Sequence, residues 1–151
     1  MTQLWSSQIA DNPETFVLFA FPWGQKNTPL EHFKGPRAWQ RRTLRKIADH
    51  IKANRGQMDM DALRRAVSSG RGIGKSALVS WLILWMLTTR IGSSVIVSAN
   101  SENQLRTVTW GELTKWATMA INSHWWEPSA TKLVPAQWLT ELVERDLKKG
   151  T

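Results

Sequence analysis

The sequence predicts an α/β fold, a parallel sheet with flanking helices. Three observations lead there. The expected elements come in the order helix, strand, Gly-rich loop, helix, strand, helix, the rhythm of βαβ proteins. Residues Ser94–Ala99 (SVIVSA) form the β-branched, nearly unbroken apolar run of a strand covered on both faces. A glycine-rich stretch ending in Gly74-Lys75-Ser76 stands between a strand candidate and a strongly apolar helix.

Taken in chain order, residues 1–35 are expected to be irregular. Phe16–Phe21 is a short apolar run, and Pro22, Gly24, Pro29 and Gly35 break up the stretch after it. A first helix is expected from Pro36 or Arg37 to about Asn54. Pro36 suits a helix start, Leu44, Ile47, Ala48 and Ile51 recur on one face, and Gly56 provides a stop. Its other face carries Arg41, Arg42, Arg45, Lys46 and Lys52. Arg64–Ser69 is a strand candidate, weak by composition. After the glycines, Lys75 to Thr89 reads as a helix apolar nearly all round, which must be covered on most sides. Ser101-Glu102-Asn103-Gln104 resembles a capping box and opens a helix to about Asn122. A last helix spans Pro135 to Lys149, with Gly150 as terminator. Trp81, Trp85, Trp110 and Trp116 are expected in the core, and Trp125-Trp126 at a packed chain reversal.

Composition narrows the chemistry. The chain has 151 residues, the size of one domain, with 42% hydrophobic and 21% charged residues, so a packed core is expected rather than disorder. It has no Cys, which removes disulfides, thiol nucleophiles and Cys-ligated metals, and its three His are scattered. The net charge of +8 is concentrated in residues 26–65, which hold eleven basic and four acidic groups. Such a block suits a polyphosphate or nucleic-acid partner, or is simply a solvated basic surface. The N-terminus lacks the basic region of a secretory signal, and the longest apolar run, Ala77 to Leu87, is about half of the ~20 residues a membrane span needs. No membrane association is expected.

The chemically informative segment is Ser69-Gly70-Arg71-Gly72-Ile73-Gly74-Lys75-Ser76. It matches the phosphate-loop pattern GxxxxGK[ST] except that Ser69 replaces the first glycine. Glycines allow backbone N–H groups to turn toward phosphate oxygens, and the helix N-terminus adds a favourable dipole. Lys75 would neutralise β/γ oxygens, and the Ser76 hydroxyl would ligate Mg²⁺. Gly70, Arg71, Gly72, Ile73, Gly74, Lys75 and Ser76 are therefore the expected nucleotide-binding residues. Arg71 is either a solvated loop residue or a guanidinium able to reach the γ-phosphate.

With Arg inside the loop and no leading glycine, SGRGIGKS resembles the phosphate loop of the large terminase subunits of tailed phages, the ATPases that package DNA into proheads. The similarity extends to Gly35–Gln40 upstream and to Ser94–Gln104 downstream, and covers roughly residues 16–126. It implies a P-loop NTPase-type parallel sheet, ATP and Mg²⁺ as cofactors, and catalytic roles for Arg71 and Lys75. It implies that Gln40 grips adenine, for which one amide offers both a donor and an acceptor. It implies DNA, a terminase small subunit and the prohead portal as partners, a homo-oligomer when complete, and the bacterial host cytoplasm. Trp39 would either stack on the base or belong to the core.

Two parts of the family pattern are missing. No apolar strand ends in Asp-Glu, the pair that holds Mg²⁺ and activates water, and no acidic cluster suggests the family's nuclease. Residues 36–151 therefore read as the N-terminal portion of such an ATPase domain. The alternatives are a non-catalytic nucleotide- or nucleic-acid-binding fragment using the basic block, and another helicase-like P-loop ATPase. The 151-residue polypeptide is expected to bind Mg-nucleotide weakly without turning over ATP at a motor rate. Steady-state phosphate release checks this, and appreciable release abolished by Lys75→Ala would overturn it.

Overall fold

The computed structural model describes residues 3–59, 61–68, 70, 72 and 74–150. Two helices begin the chain, α1 (Ser7–Ala10) and α2 (Pro13–Ala20). The expectation of an irregular segment over 1–35 fails over residues 7–20, for a local reason, while 21–35 contain no helix or strand, as expected. The Asn12 side chain accepts hydrogen bonds from the backbone N–H groups of Glu14 (3.1 Å) and Thr15 (3.3 Å), and Pro13 occupies the first helical position. Phe16 and Val17 of α2 are fully buried, so this segment belongs to the same core as the rest.

Helix α3 (Ala38–Ala53) and helix α4 (Lys75–Thr89) lie where the sequence places them. The face of α3 carrying Leu44, Ile47 and Ile51 packs inward, and Gln40, at the same helical spacing, is buried with it at 3% exposure. Helix α4 runs through the middle of the core: Leu78, Trp81, Ile83, Leu84 and Trp85 are all buried. The Trp85 Nε1 donates to Ile9 O and the Trp5 Nε1 to Thr88 O, both at 3.0 Å, tying the N-terminal helices to α4. Asn122 Nδ2 donates to Thr88 Oγ1 (3.0 Å), so the buried polar pair at the far end of α4 is satisfied. Residues 102–119 are helical throughout, as α5 (Glu102–Gln104), a π-helical segment (Leu105–Trp110) and α6 (Gly111–Met119). Trp116 of α6 meets Trp81 of α4 edge to face at 5.1 Å.

No parallel sheet is present among the described residues. The protein is mostly helical, and its described strands are β1 (Trp126–Pro128) and β2 (Leu133–Pro135), paired antiparallel across a short turn. Arg64–Ser68 and Ser94–Ala99 lie in segments that join no ladder among the described residues, and Ser69 lies outside those residues. The physical reason is that strand propensity is realised only through partners that complete the backbone hydrogen bonds, and neither segment pairs with another strand among the described residues. Ile96 is 93% exposed rather than covered on both faces. The last helix, α7 (Gln137–Lys149), matches expectation and buries Leu139. Trp81, Trp85, Trp116, Trp125 and Trp126 are buried as expected, and Trp110 is half-buried. No described helix is long and apolar enough to cross a membrane.

One ion-pair group links α2 to α3. Glu14, only 8% exposed, accepts from Arg45 Nε at 2.6 Å, from Arg45 Nη2 at 3.1 Å and from Arg41 Nε at 2.9 Å. Burial pushes the Glu14 pKa up, but the hydrogen bonds and charges of Arg45 and Arg41 outweigh it and hold the carboxyl below its ordinary value. A depressed folded pKa means that the carboxylate stabilises the fold above the unfolded value and ceases to as pH falls through the folded one. Glu14→Gln is expected to cost about 1–2 kcal/mol at pH 7, with the exposed ends of both arginines limiting the loss. Chemical unfolding at several pH values checks this: the two proteins should converge as the pH drops below the ordinary carboxylate value of 4.5.

Candidate nucleotide-binding site

The glycine-rich loop delivers its last residues directly into α4. Gly74 is the N-cap at φ +92°, and Gly72 has φ +74°, both in the left-handed region that side chains rarely adopt. Lys75 and Ser76 are the first two residues of α4 and are half-buried. The positive end of a fifteen-residue helix therefore coincides with the Lys-Ser pair. Gly70 and Gly72 are exposed. Arg71 and Ile73 lie outside the described residues.

The loop is held from α3. Gln40 Nε2 donates to Gly74 O at 2.9 Å, while Gln40 Oε1 accepts from the Arg37 backbone N–H at 2.8 Å. The second bond caps the start of α3, and the first reaches 34 residues along the chain. Arg37 Nη1 also donates to Gly72 O at 3.2 Å. The carbonyls of both left-handed glycines are thus fixed toward α3. Gly74 O additionally accepts from Leu78 N–H at 3.1 Å, the bond that opens α4. In a trans peptide the carbonyl and the following N–H point in opposite directions, and no described peptide is cis. Holding Gly74 O against Gln40 therefore turns the Lys75 N–H to the opposite side.

Beside this junction lies a hollow with an aromatic wall, lined by Trp23, Phe33, Pro36, Gln40, Gly74, Trp81 and Trp116. The Trp81 indole N–H is buried without a hydrogen-bond partner. Trp39 packs half-buried against the core. Of the residues predicted for the site, Gln40, Gly72, Gly74, Lys75 and Ser76 are brought together around one helix start. Arg37 joins them unforeseen. The sequence signal for its neighbour was available, since Gln at the third helical position is a capping pattern. A guanidinium reaching the loop from the cap position has no such signature.

The basic face of α3 is less available than the charge count implies, because Arg41 and Arg45 are engaged by Glu14. Arg42, Lys46 and Lys52 remain at the surface.

Comparison of the chain with protein-family models, with curated proteins and with solved structures returns no match.

Gly74 is doubly constrained. A Cβ there would stand 2.5 Å from Gln40 Nε2, whereas one at Gly56, with a similar φ of +83°, would meet nothing within 4 Å. Gly56→Ala should lose only the left-handed backbone preference, about 1–2 kcal/mol. Gly74→Ala should lose that and displace the buried amide as well, for a total of about 2–4 kcal/mol. Thermal or chemical unfolding of the two variants side by side checks the difference.

Proposed function

We propose that this chain binds a magnesium-bound nucleoside triphosphate through the loop around Gly70–Ser76, as the nucleotide-gripping portion of a phage or prophage DNA-packaging terminase large subunit. The single observation that carries the reading is the junction at Gly74. Two left-handed glycines, at positions 72 and 74, lead into the N-terminus of α4, with Lys75 and Ser76 in its first turn. That arrangement supports anion binding by backbone N–H groups and a helix dipole.

The donor set suits the proposed ligand. Lys75 supplies a compact positive charge for the β- and γ-phosphate oxygens. Ser76 supplies one hard oxygen to Mg²⁺, which prefers few protein ligands supplemented by phosphate and water. The ion, when bound, would neutralise charge on the phosphates. The chain's own residues bind and orient the polyphosphate: Gly72 and Gly74 shape the turn, and Arg37 and Gln40 hold their carbonyls away from the opposite face. The specific nucleotide, ATP, the packaging role, DNA as the transported polymer and the small-subunit and portal partners rest on the resemblance of SGRGIGKS and its flanks.

Isothermal titration with a slowly hydrolysed ATP analogue and Mg²⁺ tests the proposal. Saturable binding is expected, weakened at least about tenfold by Lys75→Ala and by removal of Mg²⁺ with a chelator. Binding that ignores both changes would refute it.

A further inference from the structure

We infer that Gln40 is the positioning residue of the phosphate loop, acting on the polyphosphate through Gly74 and leaving the nucleobase unread. The inference rests on the nucleotide-binding reading above and deepens it.

Three observations carry it. First, the Gln40 amide is committed at both ends, with Oε1 accepting from Arg37 N–H and Nε2 donating to Gly74 O. Second, the residue is only 3% exposed and lies on the buried face of α3 with Leu44 and Ile51. Each end of the amide keeps one further hydrogen-bonding position, but at this burial a base edge could reach it only if the side chain moved out and broke the bonds that cap α3 and hold the loop. Third, a Cβ at position 74 would stand 2.5 Å from Gln40 Nε2 on a backbone with φ +92°, so a side chain there would have to displace the Gln40 amide from its bond to Gly74 O.

The consequence depends on which atom Gln40 holds. Gly74 O receives both the Gln40 amide and the first α4 bond from Leu78 N–H. Its orientation sets the direction of the Lys75 N–H and the line along which the first turn of α4 begins. A donor that fixes this carbonyl therefore preorganises the Lys75 end of the loop for the phosphate. It does so without touching sugar or base, and Arg37 on Gly72 O extends the same support to the preceding glycine of the loop.

The experiment compares the wild type with Gln40→Met, which keeps the side-chain length and removes both amide bonds. A second variant, Gln40→Glu, keeps the acceptor for Arg37 N–H and removes the donor to Gly74 O. Dissociation constants are measured for three probes with Mg²⁺: an ATP analogue, the matching GTP analogue and inorganic tripolyphosphate. Positioning predicts the same loss, about tenfold, for all three probes in both variants. Hydrogen exchange of the Leu78 amide in the unliganded variants is predicted to accelerate while that of Leu84 stays protected. A loss confined to the ATP analogue would overturn the inference and make Gln40 a base reader. Unchanged affinity for all three probes would overturn it as well. Should Gln40→Met fail to fold, Gln40→Glu carries the same comparison. Should both fail, a Leu78 exchange rate in wild type matching that of an uncapped helix start would overturn it. If the wild type binds none of the probes, the nucleotide reading itself falls, and the Leu78 exchange comparison still decides whether Gln40 holds the loop.

Discussion

The burial of α4 is the constraint on which the remaining structure depends. A helix that carries Leu78, Trp81, Ile83, Leu84 and Trp85 around most of its circumference needs neighbours on those sides, and only the side of Val79 stays exposed. Helices α1, α2 and α6 do so, and the aromatic contacts concentrate there: Trp81 meets Phe21, Trp23 and Trp116 within 6.5 Å. Because the same helix begins at Gly74, the packing that buries its middle also fixes where its N-terminus points. Core and candidate site are two ends of one element.

The loop does not hold its own shape. Its two left-handed glycines are conformationally permissive residues, and permissive residues take whatever geometry their surroundings impose. Here the surroundings are Arg37 and Gln40 at the start of α3, and α3 is in turn braced against α2 by the Glu14 pair with Arg41 and Arg45. A chain of contacts thus runs from the first helices of the polypeptide to the phosphate-loop motif. It ties the helical part of the N-terminal segment, residues 7–20, to the candidate site.

The features legible in the sequence were local ones. The ranges of α3, α4 and α7 agree with apolar spacing punctuated by Pro36, Gly56, Gly74 and Gly150, and the tryptophans expected in the core are there, with Trp110 only half-buried. The Gly74-Lys75-Ser76 start of α4 was readable because a glycine stands before a long apolar run that contains no Gly or Pro. The sheet was not, since SVIVSA specifies a preference for extended backbone but not the partner that would complete it. Helix α2 was masked by the surrounding prolines and glycines, although Asn12-Pro13 is itself a helix-start signature. The environment of Gln40 lay between these extremes. Its spacing with Leu44, Ile47 and Ile51 places it on a buried face, and a buried amide must find partners inside the protein. Which atoms those are depends on a contact 34 residues away in the chain.

The aromatic set has an optical consequence. The chain has ten Trp and no Tyr, so its near-ultraviolet absorption and its emission arise almost entirely from indoles. Trp81 and Trp116, with rings 5.1 Å apart and nearly perpendicular, are close enough for their transitions to couple, and both line the hollow beside Gly74. The protein therefore carries a built-in spectroscopic label at the junction of its core and its candidate site.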